Sequence, residues 1–389
     1  MSKSRFSKPL LFLAFGNMIL IGVFNSMRGV SFPLIRNDFD ASYSNMGLLT
    51  ALVSYTMMAF CIIAGTFMDK FGLKRNLLMG FAFIIGGTLF FHGISSFWMA
   101  AMHFLIIQGG LGFFEVGLNG LGSRIFTVKT ALMMNLLHFC YGLGAMAGPR
   151  FMGIMFNQGR TWQGIYPLLL IPVLLMLGLT LFVRFPAHES SSKEGPTFWR
   201  LMKEPMVWVF GGILGLAGVV EGSSVSWSGL YLHDVYGLDA GTAMTGLVSL
   251  FYLLFTLTRL VSGFFIEKIG YVKSVITAAV GILATYILVF IFGEGGIRLI
   301  PLAGIFVALM WPTVMAINVV YFKERAQTVS SAIICIAAIL GGAIHYIIGL
   351  TNRFIGPAWG FRSVLLYASL LLVLLIILGR KMMSEKAQA

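Results

Sequence analysis

Twelve apolar runs, each about as long as a lipid bilayer is thick, follow one another along this chain with only short polar turns between them. A helix rises about 1.5 Å per residue, so roughly 20 apolar residues cross the hydrocarbon core of about 30 Å. The runs fall at 10–32, 45–67, 77–95, 98–122, 131–155, 163–184, 206–231, 243–266, 272–293, 299–322, 328–351 and 359–379. Trp98, Trp162, Trp208 and Trp359 stand where runs fade, as interfacial tryptophans do. The pattern predicts an all-α membrane protein of twelve transmembrane helices.

Composition closes the other routes. Of 389 residues 58% are hydrophobic and 11% charged, against roughly 25% charged in a soluble domain. Such a chain cannot cover itself with a water-compatible surface, which excludes a soluble enzyme, a disordered chain and a disulfide scaffold. The net charge of +13 raises the question of a nucleic-acid partner, and the distribution of the bases answers it. With the N-terminus inside, and with bases at the ends of runs counted with the adjoining segment, 19 of the 27 Lys and Arg are cytoplasmic, five are outer and three lie within spans. That is the positive-inside pattern, so no nucleic-acid partner is expected. Lys3, Arg5 and Lys8 precede a run too long for a cleaved signal, so it reads as the first span. Cys61, Cys140 and Cys335 all lie in spans, where no disulfide is expected. The expectation is a multi-pass monomer of the cell membrane, in contact with the lipid bilayer, with both termini cytoplasmic.

The longest polar interruption, 186–204, is a predicted cytoplasmic linker between an N-terminal six-helix bundle (1–185) and a C-terminal one (205–389). The two halves repeat. Gly65, Asp69, Lys70, Gly72 and Arg75 after span two recur as Gly263, Glu267, Lys268, Gly270 and Lys273 after span eight, each displaced by 198 residues. The same offset carries Gly144-Ala145 onto Gly342-Ala343 and brings Asn119 within one residue of Asn318. This G-x-x-x-[D/E]-K-x-G-x-x-[K/R] turn resembles the loop signature of the major facilitator superfamily. The resemblance implies two pseudo-symmetric six-helix bundles facing a central cavity, with Asp69, Gly72, Glu267 and Gly270 as gating positions. Otherwise the bases of these turns are topology anchors.

Ionisable groups inside spans cost at least ~2.5 kcal/mol each and so should face a cavity or a partner. Arg28, Glu115, Arg150, Glu221 and Arg259 are in that position. Glu115 and Asn119 share one face of span four, where the carboxylate either binds substrate and a proton or is fixed by Arg28. Arg28 in turn can pair inward or snorkel to the outer interface. Glu221 lies mid-span beside Ser223, Ser224, Ser226 and Trp227, a set that suits a saccharide or simple packing. His138 and Tyr141 align on span five, while Trp311-Pro312-Thr313 predicts a broken hydrogen-bond ladder in span ten, six residues before Asn318. His345 and Arg259 have no polar partner beside them on their own helices.

Together these motifs look like the fucose–galactose–glucose:proton symporter branch of that superfamily. The matches are Glu115 with Asn119, Asn135 with His138 and Gly144-Ala145, Trp227-Ser228, Arg259 ahead of Gly263, and Pro312-Thr313. Where that branch can carry an acid four residues before a proline in span one, this chain has Gly29, with Arg28 beside it. The resemblance implies a secondary transporter that moves a small polar solute, a monosaccharide, together with protons. Glu115 and Arg28 would couple the proton, and Asn119, His138, Tyr141, Glu221, Trp227, Trp311 and Asn318 would meet the substrate. Gly144-x-x-x-Gly148-Pro149 also partly resembles proton-coupled efflux antiporters, which is the alternative. No Walker loop or catalytic metal cluster is present in the sequence, so neither an enzyme, a cofactor nor ATP-driven pumping is expected. A sensor lacking flux would gain little from acids buried in its spans.

Overall fold

Backbone amides in hydrocarbon must bond within the chain, and among the described residues all regular structure is helical. The computed structural model describes residues 8–126, 130–186, 201–238 and 240–388. Its first helices are α1 (Lys8–Asp38), α2 (Tyr43–Phe71), α3 (Leu73–Leu89), α4 (Phe97–Ile125), α5 (Thr130–Asn157), α6 (Trp162–Ile165) and α7 (Leu170–Phe182). There follow α8 (Pro205–Gly222), α9 (Ser228–Tyr236), α10 (Ala240–Ile269), α11 (Tyr271–Phe292), α12 (Ala303–Phe322), α13 (Ala326–Phe354), α14 (Pro357–Arg362) and α15 (Val364–Gln388). Among the described residues ten helical stretches are long and apolar enough to cross a membrane. One of them, Tyr271–Phe322, contains both α11 and α12 with a 3₁₀ stretch between them. The run expected at 131–155 lies within α5. Most of the linker expected at 186–204 lies outside the described residues.

Two spans depart from the expected regularity. The run at 163–184 is α6, a 3₁₀ turn over Tyr166–Leu169 holding Pro167, and α7. Proline there removes a ladder donor at the junction. In span ten Pro312 removes a ladder donor, as its chemistry requires, but the helix is not interrupted and α12 runs on through it. The irregular backbone sits in span seven instead, where a π-helical stretch, Ser223–Trp227, joins α8 to α9.

The chain divides into two compact units, Met1–Ala41 with Tyr55–Ser192, and Ser42–Ser54 with Lys193–Ala389. The start of α2 therefore groups with the helices of the second unit. In the first unit the most extensive packing is α1 on α5 and α3 on α4; in the second it is α8 on α13 and α11 on α12. These are spans one and five, three and four, and their counterparts seven and eleven, nine and ten. The sequence repeat is thus matched by repeated packing.

Close backbone approach explains part of the glycine content. A side chain at Gly22 would overlap the Tyr141 carbonyl oxygen, and one at Gly144 the Ile19 carbonyl oxygen. Lipid supplies no hydrophobic force between helices, so contact of this kind is what holds α1 to α5. The turns repeat as well. Gly72 at φ 85° and Gly270 at φ 91° precede α3 and α11, in a region of backbone space that costs an L residue roughly 1–2 kcal/mol. Their amides donate to Met68 O at 2.9 Å and to Ile266 O at 2.8 Å.

Candidate functional site

In the first unit the polar groups gather on one stripe of α4. Gln108, Glu115 and Asn119 are seven and then four residues apart, which keeps them on one helical face. Asn119 Nδ2 donates to Glu115 Oε1 at 3.0 Å and to the Glu115 carbonyl at 2.8 Å, so amide and carboxylate form one unit. Two turns away, Gln108 is buried at 5% exposure and its Oε1 accepts from Arg28 Nη1 of α1 at 2.5 Å. A second, longer bond runs from Arg28 to Asn25 Oδ1 at 3.4 Å. Arg28 therefore turns inward between α1 and α4 and does not rely on snorkelling to the interface. On α5, which packs along α1, His138 and Tyr141 are both half-buried one turn apart.

The second unit builds its counterpart around the end of α8. Half-buried Glu221 accepts from Tyr252 of α10 at 3.3 Å through Oε1. Arg259 lies seven residues beyond Tyr252 on the same helix, two turns along. Its guanidinium stacks 4.2 Å from the Phe255 ring centroid, and Nε donates to Ala308 O of α12 at 3.4 Å. The π stretch beyond Glu221 is tied at both ends. Ser224 Oγ shares a 2.5 Å hydrogen bond with Tyr286 of α11, and Trp227 Nε1 donates to His345 Nδ1 of α13 at 3.1 Å. Single π turns inside α-helices frequently mark functional positions, because the extra residue re-aims the side chains that follow.

The remaining predicted residues stand apart from these two groups. Trp311 is 42% exposed on α12, whereas Asn318 is buried and its Nδ2 donates to Ser330 Oγ at 2.8 Å and Ala326 O at 3.3 Å. That amide nitrogen ties α12 to α13. Asp69 and Glu267 are exposed at equivalent places before the two glycine turns. Nearby, Lys74 Nζ donates to Leu181 O at 2.7 Å, fastening the first turn to the end of α7. Among the described residues no group of three or more His, Cys, Asp or Glu is arranged to hold a metal.

Gln108, Tyr252 and Tyr286 are not marked by the sequence patterns above, and the pairing of His345 with Trp227 is not marked either. Gln108 was findable, since a glutamine in an apolar run on the face of Glu115 is the signal used for Asn119. The others act across helices, and one-helix spacing carries no information about such partners.

Comparison with known proteins places this geometry. The model of a family described as the Major Facilitator Superfamily matches residues 13–303. The riboflavin transporter of Saccharomyces cerevisiae is 24% identical over 197 residues, 48% of this chain and 38% of that protein. The oxalate:formate antiporter of Oxalobacter formigenes is 27% identical over 230 residues, 54% of this chain and 51% of that protein. The matched stretches thus span about half or less of these relatives' own length. A crystal structure of the E. coli fucose:proton symporter, FucP, superposes with a TM-score of 0.67 at 18% identity, covering 97% of this chain and 99% of that one. At that identity the likeness is one of fold.

Proposed function

This chain belongs to the Major Facilitator Superfamily, a family of transporters and not of enzymes, and from that premise we propose a proton-coupled secondary transporter of a small polar solute, a monosaccharide, working by alternating access. The observation that carries the reading is the Glu115–Asn119 pair on the polar stripe of α4. A carboxyl within a span is costly unless it has work to do, and this one sits where a proton and a hydroxyl-bearing ligand compete for the same oxygens. Arg28, held by Gln108, supplies the fixed positive charge that makes the protonation state of Glu115 matter. To substrate contact we assign Asn119, His138 and Tyr141, and likewise Glu221, Trp227 and Trp311. Asn318 contributes by holding α12 on α13. The turns at Asp69–Gly72 and Glu267–Gly270 are the gating positions, and the protein is a monomer of the cell membrane with both termini in the cytoplasm.

The test is uptake of labelled monosaccharides into proteoliposomes under an imposed pH gradient. Accumulation that collapses when the gradient is dissipated supports the reading; uptake indifferent to the gradient overturns it. A second reading, efflux by proton-coupled exchange of drugs or metabolites, is favoured by the Oxalobacter antiporter among the relatives and by Pro149 within α5. Exchange of internal for external anions or drugs, with no sugar accumulation, would select it.

A further inference from the structure

Nothing polar stands beside His345 on its own helix, and the fold supplies the partner. Its ring is buried at 6% exposure, and Trp227, at 3%, donates to it across the interior of the second unit. An indole N–H can only donate, so Nδ1 of His345 must be the accepting nitrogen and the ring proton is on Nε2. The bond therefore exists only while the imidazole is neutral. A proton added to Nδ1 would face one donor with another, and the pair would have to part.

Two features of span seven bring this about. The π stretch Ser223–Trp227 shifts the side chains after Glu221 in register and delivers the indole toward α13. Gly222, immediately before it, leaves the space that the imidazole fills: a Cβ there would lie 2.6 Å from His345 Cε1 and 2.7 Å from Nε2. The other charged or titratable groups on elements around this part of α13 are Glu221 on α8, Tyr43 in the first turn of α2, Tyr231, His233, Asp234 and Tyr236 on α9, Tyr321 on α12, Arg362 on α14, and Cys335, Tyr346 and Arg353 on α13 itself. Of these, Glu221 is the chain neighbour of the glycine against which the ring packs.

We propose that His345 is a proton-responsive positioning residue: neutral, it fixes the Trp227 indole, and protonated, it releases it. Only its consequence for transport rests on the reading of Trp227 as a substrate contact, for it is through Trp227 that the proton would alter substrate affinity. The test follows Trp227 directly. Incorporate 5-fluorotryptophan, assign the Trp227 ¹⁹F resonance by its loss in Trp227→Phe, and titrate the intact protein in detergent across roughly pH 5–8, where a histidine changes charge. The expected result is a one-proton shift of that resonance, absent in His345→Gln, whose neutral amide accepts without titrating. Gly222→Ala is the second variant, and it should move the resonance at high pH toward the acid position by displacing the ring. A Trp227 resonance that does not move with pH, or one that titrates identically in His345→Gln, overturns the inference. Neither outcome depends on transport, so failure of proton-coupled sugar uptake would sink the functional reading and leave this one standing. In uptake assays His345→Gln should flatten the pH dependence of KM, which a merely structural histidine would not do.

Discussion

Among single residues, Arg28, Glu115, Glu221 and Arg259 lie in hydrogen-bonded groups, whereas Arg150 on α5 is exposed. Glu115 shares its oxygens with Asn119, and Arg28 is held by Gln108, so each charge has a defined direction. Glu115→Gln keeps shape and hydrogen bonding while removing the titrating proton. It should lower gradient-driven accumulation by about tenfold or more, a barrier change of ~1.4 kcal/mol or greater, while substrate-dependent thermal stabilisation survives. Loss of both would assign Glu115 to structure. Arg28→Ala leaves the buried Gln108 oxygen without this donor, which should cost about 1–3 kcal/mol. Thermal unfolding in detergent measures it, and Arg28→Lys should recover only part, because an ammonium lacks the planar fork. The Gln108 contact was within reach of a sequence reading, whereas Tyr252 against Glu221 was not. The first lies on the face already marked by Glu115, and the second joins helices 31 residues apart.

Among the elements, close helix approach and the tight turns carry most of the consequences. Gly144 leaves no room for a Cβ against the Ile19 carbonyl, while Gly178 has open space around it. Gly144→Ala should therefore part α1 from α5 and destabilise by about 1–3 kcal/mol or more, as overpacking does. Gly178→Ala on α7 should be neutral or slightly stabilising. Equal effects at the two sites would show that α1 and α5 tolerate separation. The two glycine turns offer a matched pair: Gly72→Ala and Gly270→Ala should each cost about 1–2 kcal/mol through positive φ alone. A larger effect of either on transport than on unfolding temperature would mark that turn as a gate. Proline patterns alone misplaced the irregular backbone of the second unit. Proline in α12 was accommodated within the helix, whereas the π stretch of span seven has no proline and is held by Ser224–Tyr286 and Trp227–His345 instead.

For the whole molecule, the division into two units does not follow chain order, because the start of α2 packs in the second. Tyr43 donates to Asp234 on α9, Ser44 accepts from Arg353 at 3.1 Å, and Gly47 meets Gly349 of α13. A fragment beginning at residue 205 lacks all three contacts. Supplying residues 1–185 by coexpression should raise its yield and unfolding temperature, and deleting Ser42–Ser54 from the coexpressed half should cancel the gain. An unchanged gain after that deletion would show that these contacts add nothing. Residue order alone is enough to show that this chain is a multi-pass membrane protein, that its halves repeat at an offset of 198 residues, and which charges lie within spans. It could do so because bilayer thickness, desolvation cost and loop charge act on each stretch of chain locally. That Arg28 is held by Gln108, that His345 meets Trp227 and that α2 begins among the helices of the second unit emerges from the folded packing. Those pairings depend on which helix faces lie together, and no spacing along one helix encodes its neighbour.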